Sequence, residues 1–72
     1  MTDAEFLGKL GAQIAKKRSE AGYNQSQFAL KCDMDRQNMH RIEHGTENVK
    51  VLTLRKFAKE LEISVAALLD FK

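Results

Sequence analysis

The sequence predicts an all-helical fold of five helices. Apolar side chains recur at spacings of three and four from Phe6 to Leu69, the period of amphipathic helices. No alternating strand pattern competes with it. In addition, the second and third helices are short, with only Asp33-Met34-Asp35 between them.

The first helix is expected over about residues 3 to 21, with Phe6, Leu7, Leu10, Ile14, Ala15 and Ala21 on one stripe and Gly22 ending it. Thr2 and Glu5 have the spacing of a capping box, whereas Gly8 and Gly11 weaken the first turns. Asn24 is a good N-cap and Gln27 can reach back to complete a second capping box. Tyr23 and Phe28 are spaced as a hydrophobic staple across it. The second helix therefore begins at Gln25, and it ends near Cys32. Asp35 caps a third helix, Arg36 to His44, which Gly45 closes. After the polar loop Thr46-Glu47-Asn48, a fourth helix carries Val51, Leu54, Phe57, Ala58 and Leu61. Ser64 then caps a last short helix with Val65, Leu68 and Leu69 as its core stripe. Two short helices joined by a three-residue turn make a helix-turn-helix, here about residues 25–44.

At 72 residues and 8.2 kDa the chain is expected to form a single domain, residues 1–72. Charged residues make up 31% of it, and no apolar run approaches the roughly 18 residues of a membrane span. Asp3, Glu5 and Lys9 interrupt the opening stretch where a signal peptide would be apolar. The single cysteine, Cys32, makes no internal disulfide and by itself no zinc site. A cytoplasmic protein is expected, with no membrane partner, metal, cofactor or small-molecule ligand.

The net charge of +2 is unevenly spread: residues 16 to 59 hold ten Lys or Arg against five acids, and both ends are acidic. A basic middle fits one face meeting a polyanion, and fits a solvated surface equally well. The third helix is more informative. On a helical wheel Met39 and Ile42 share one side and must face the core. The opposite side carries Gln37, His40, Arg41 and His44, with Arg36 on the flank of the first turn and no acid among them. Solvated helix faces usually mix Lys with Glu, whereas Arg and Gln match the edges of guanine and adenine in the major groove.

From Leu10 to Phe71 the chain resembles the Cro and phage-repressor-like (XRE) helix-turn-helix family, whose fold is the compact five-helix lambda-repressor-like domain. The matching residues are Ile14 and Arg18, Gly22, the run Asn24-Gln25-Ser26-Gln27-Phe28-Ala29, and Ile42-Glu43-His44-Gly45. They continue through Leu54, Phe57-Ala58 and Leu61 to Ile63-Ser64-Val65 and Leu68-Leu69. The likeness extends to small stand-alone regulators such as restriction-modification controllers, and it implies a sequence-specific regulator that binds double-stranded DNA. By the same resemblance, Arg36, Gln37 and Arg41 match the positions that read base edges. Gln25 matches one that touches phosphate and supports the recognition helix, and Asn24 lies against the backbone. Asn38, His44 and the loop Thr46 to Lys50, with Thr46, Asn48 and Lys50, are candidate phosphate contacts. Arg18 and Glu43 match a buried ion pair joining the first helix to the third. Two departures stand out: Asp33 occupies a turn position that is usually Gly, and Asn48-Val49-Lys50 replaces an Asn-Pro-Ser that would cap the fourth helix.

His40-Arg41-Ile42-Glu43-His44 also fits the H-x-x-E-H pattern of zinc peptidases. Such a site needs a third ligand, a held water and a cleft, for which this helical chain has little material, so no enzyme is expected. Cys32 reads as a small core residue. The main alternative to a DNA-binding regulator is a protein-interaction module, such as an antitoxin or adaptor, built on the same fold.

A short recognition helix reads only a few base pairs, so a homodimer on a palindromic or pseudopalindromic operator is expected. In the last helix Ala67 and Phe71 lie four apart on a side away from the core stripe. With Leu69, and with Leu52 on the outer side of the fourth helix, they are the candidate dimer surface. Alternatively, Phe71 folds back over its own core.

Overall fold

Four of the five helix starts are set by side chains that accept a hydrogen bond from the backbone N–H three residues on, and two of those caps are reciprocal. The computed structural model describes all residues, Met1–Lys72, as α1 (Asp3–Glu20), α2 (Gln25–Lys31), α3 (Arg36–Glu43), α4 (Val51–Leu61) and α5 (Val65–Leu68). Thr2 and Glu5 close a capping box on α1, and Asn24 and Gln27 close one on α2 with both bonds at 2.8 Å. Asp35 accepts from the Asn38 N–H at 2.7 Å and Ser64 from the Ala67 N–H at 3.1 Å. Each such cap satisfies a donor that the helix itself cannot, worth about 1 kcal/mol. Lys50 begins α4 with no side-chain cap, as the missing Asn-Pro-Ser implies.

The turn between α2 and α3 survives the loss of glycine. Asp33 sits in the left-handed region at φ 57°, which a short polar side chain tolerates better than most. Gly45, at φ 75°, closes α3 and turns the chain back across it. The boundaries fall within about a residue of expectation: Ala21 is the cap of α1 rather than its last turn, and His44 caps α3 rather than ending it.

Every helix contributes to one core. Ile14, Phe28, Met39, Phe57 and Leu68 are fully enclosed, with Leu10, Ala29, Cys32, Ile42, Leu54, Ala58 and Leu61 around them. Phe28 lies at the centre, 5.6 Å from Phe57 and 5.7 Å from its staple partner Tyr23 between ring centroids. Burying each such side chain stabilises the fold by roughly 1.5–3 kcal/mol. α3 packs mainly on α1 and α2, which leaves its other side free.

Several residues expected in the core lie outside it. Phe6 and Leu69 are each 42% exposed and Val51 is 74% exposed. Phe6 and Val51, in the first turns of α1 and α4, line one open apolar concavity with Leu69. Leu69 misses the core because α5 has only four residues and Leu69 is its C-cap, so the helical stripe stops at Leu68. The end of the chain is held by α1 instead: Gln13 Nε2 donates to the carbonyls of Ala67 at 3.0 Å and Asp70 at 3.2 Å. Phe71 is half-buried at this end. It lies beyond α5, packs against the core and meets Phe6 with ring centroids 5.4 Å apart, which is the fold-back alternative.

Candidate nucleic-acid interface

α3 is anchored by one face and offered by the other. Met39 and Ile42 sink into the core, and Glu43, one position further round the helix, is held by two other elements. Arg18 of α1 donates from Nε to Glu43 Oε2 at 2.8 Å and from Nη2 to Oε1 at 3.1 Å, and Gln25 of α2 donates to Oε1 at 3.0 Å. The third donor of Arg18, Nη1, reaches the Tyr23 carbonyl at 2.8 Å. A bidentate guanidinium with an amide beside it satisfies the buried carboxylate. The network fixes the last turn of α3 against both helices behind it. Gln25 is half-buried in this network, and Asn24 is exposed at the start of α2.

On the open side, Arg36, Gln37, His40 and Arg41 are all exposed and line one concavity with no apolar residue among them. Asn38, Asn48 and Lys50 come together around an adjacent concavity with Glu47 and Thr53. The two groups named from the sequence are therefore neighbours on one surface. Two of the candidate phosphate donors are partly engaged. The Thr46 hydroxyl donates to the Arg41 carbonyl at 3.2 Å, and His44 Nδ1 donates to the His40 carbonyl at 2.9 Å.

One residue of this surface was not singled out from the sequence. Glu47 places Oε2 3.3 Å from Arg41 Nε, so the acid-free face of α3 has a carboxylate at its edge, supplied by the following loop. The only signal for it was Gly45, whose left-handed turn folds the loop back. Gln13, which ties α5 to α1 across 54 residues, carried no sequence signal.

The histidines of the H-x-x-E-H pattern stack face to face with ring centroids 3.9 Å apart. Glu43 is turned away from them, and both its oxygens are taken by Arg18 and Gln25, so the three residues do not converge on one point. Cys32 is enclosed in the core. Burial pushes its thiol up to about 11, Glu60 acts in the same direction, and Lys56 and Lys31 oppose both.

Among the expected dimer residues, Leu52 is 73% exposed and Leu69 is partly open, whereas Ala67 is half-buried with its carbonyl bound to Gln13. Leu69 shares an apolar concavity with Phe6, Leu7, Val49 and Val51. No helix is long and apolar enough to cross a membrane.

Comparison with known proteins identifies the family and the fold. Control protein C.BamHI of Bacillus amyloliquefaciens is 36% identical over 53 residues, which is 74% of this chain and 65% of that protein, so the chain matches just under two thirds of the relative's length. The crystal structure of the restriction-modification controller protein C.AhdI from Aeromonas hydrophila superposes with a TM-score of 0.82 at 29% identity, covering 86% of this chain and 94% of that one. The wild-type restriction-modification controller protein C.Esp1396I gives 0.78 at 31% identity, covering 89% and 83%. The family model for the helix-turn-helix (HTH_3) matches residues 14–68, which hold the Arg18–Glu43 network and the whole open face of α3; the chain belongs to that helix-turn-helix family.

Proposed function

We propose that the protein is a sequence-specific, double-stranded-DNA-binding transcriptional regulator that sets α3 in the major groove and acts as a homodimer on a two-fold symmetric operator. The observation that carries this reading is the division of α3: a locked inner face, and an outer face on which Arg36, Gln37 and Arg41 stand exposed beside a loop bearing Asn48 and Lys50. Arg offers paired donors to guanine O6 and N7, and Gln offers a donor and an acceptor to adenine. Asn24, Gln25, Asn38, His44, Thr46, Asn48 and Lys50 then serve phosphates at the rim, where contacts set register rather than sequence. The likeness to restriction-modification controllers supports a stand-alone regulator of that kind, working in the cytoplasm without a cofactor.

The homodimer follows from the small footprint of one eight-residue α3, since two copies one DNA turn apart read a usable site. With Phe71 engaged internally, the apolar surface left for it is Leu69 with Phe6 and Val51, and Leu52 next to Val51.

Selection of bound duplexes from a random pool, followed by titration of the winning sequence, tests the reading. Affinity should fall steeply with salt, and Arg36→Ala should cost about 1–3 kcal/mol on the selected duplex and less on an unrelated one. A pool that yields no preferred sequence, together with binding insensitive to salt, would refute the reading and favour a protein-interaction module.

A further inference from the structure

We propose that Glu47 is a specificity-determining positioning residue: it holds the Arg41 guanidinium for base reading and keeps it off phosphates. This rests on the reading of α3 as the recognition helix, and it concerns a carboxylate that the reading itself does not use.

Arg41 is gripped at both ends by the two residues after Gly45. Its carbonyl accepts from the Thr46 N–H at 3.0 Å and from the Thr46 hydroxyl at 3.2 Å. Its side chain donates from Nε to Glu47 Oε2 at 3.3 Å, and from Nη2 to Asn38 Oδ1 at 3.4 Å. The turn at Gly45 makes this possible by reversing the chain over the last turn of α3. With Nε and one Nη2 proton engaged, both Nη1 protons and the other Nη2 proton remain. One Nη1 proton and one Nη2 proton form the end-on edge of the guanidinium, which can make a two-point contact with O6 and N7 of guanine. Arg41 lines the same concavity as Arg36, Gln37 and His40, so that edge belongs to the base-reading group.

Glu47 also separates two kinds of contact. It lines the neighbouring concavity with Asn38, Asn48 and Lys50, where the candidate phosphate contacts gather. A carboxylate there repels phosphate and offsets one cation, which weakens binding to any DNA. Only a site that rewards the end-on edge of Arg41 recovers the loss. Discrimination through a repulsive element of this kind lowers affinity for wrong partners more than for the right one.

Because the pair is exposed on both sides, it contributes little to folding, and its removal should leave thermal melts nearly unchanged. The experiment titrates the full chain against the preferred duplex and a scrambled duplex of equal length over a salt series. Glu47→Ala should tighten binding to the scrambled duplex, steepen its salt dependence by about one phosphate contact, and reduce the preferred-to-scrambled ratio about fivefold. Glu47→Gln, which retains an acceptor for Nε without the charge, should tighten scrambled binding while keeping affinity for the preferred duplex. In an Arg41→Ala background, Glu47→Ala should leave the ratio where Arg41→Ala put it. Equal changes on both duplexes, or the same drop in ratio with Arg41 absent, would reduce Glu47 to a general surface charge and overturn the proposal. If neither Arg36→Ala nor Arg41→Ala altered discrimination, the recognition-helix reading itself would fall, and this inference with it.

Discussion

Arg18 and Glu43 face each other across the junction of α1 and α3, joined by two hydrogen bonds of 2.8 and 3.1 Å, with side chains 16% and 4% exposed. The pair lies 25 residues apart in the chain and ties the last turn of α3 to α1. Both side chains are spent within the fold, on each other and on Tyr23 and Gln25.

Breaking one side of this pair leaves the other charge buried without its partner. Glu43→Ala should destabilise the fold by roughly 3–5 kcal/mol, and Arg18→Ala by a comparable amount because it also strands the Tyr23 carbonyl. The double replacement Arg18→Met with Glu43→Leu should cost much less. Urea melts of the three variants check this, and small, equal losses in the single mutants would mean that the pair contributes no more than a surface contact.

The two glycines of the first turns of α1 should respond oppositely to alanine. A Cβ at Gly11 would run into the carbonyl oxygens of Ile42 and Glu43, the latter at 2.5 Å, whereas a Cβ at Gly8 meets nothing within 4 Å. Gly11→Ala must push α1 off the end of α3 and should cost about 1–3 kcal/mol or more. Gly8→Ala should gain about 0.5–1 kcal/mol from helix propensity. Thermal melts of both decide it, and a neutral Gly11→Ala would mean the two backbones are not in contact.

The proposed dimer surface is testable at micromolar concentration by sedimentation. Leu69→Asp and Leu52→Asp should dissociate the dimer while the monomer keeps its melting temperature. Phe71→Asp should instead lower the melting temperature, since Phe71 packs on Phe6 and the core. A wild type that sediments as a monomer, and binds one half-site as tightly as a palindrome, would rule the dimer out.

Cys32 makes stability fall in alkali. Its thiol is raised from about 9 to about 11, chiefly by burial, so the fold favours the neutral form. That contribution is complete below pH 9 and is lost as pH rises through about 11. Between those values the wild type should lose stability faster than Cys32→Ala in urea melts. At pH 8 iodoacetamide should label the folded chain far more slowly than the unfolded one. Parallel pH profiles for the two proteins would show that the thiol titrates freely.

What was legible in the sequence was whatever acts over one or two helical turns. The caps at Thr2, Asn24, Asp35 and Ser64, the stop at Gly45 and the inward pair Met39 and Ile42 each depend on neighbours within a few residues, and their spacing alone specifies them. The outward set Arg36, Gln37 and Arg41 was legible for the same reason, because eight residues of helix have only two sides. The Arg18–Glu43 pair was legible only through the resemblance to a family, since nothing local links two residues on different helices.

The tertiary structure decided everything that depends on where one element ends against another. Phe6, Val51 and Leu69 carry the right spacing for a core, yet they lie outside it, around an apolar concavity that the packed helices leave open. Phe71 has the spacing of an exposed helical face, but α5 stops first and Gln13 folds the end inward. Gly8 and Gly11 look alike as helix-weakening residues, and only the passage of α3 beneath Gly11 separates them. Glu47 reads as one acid in a polar loop until Gly45 brings it onto Arg41. Periodicity states which side of a helix is apolar; it contains no information about the length over which a partner covers that side, and this is set by the packing of the whole chain.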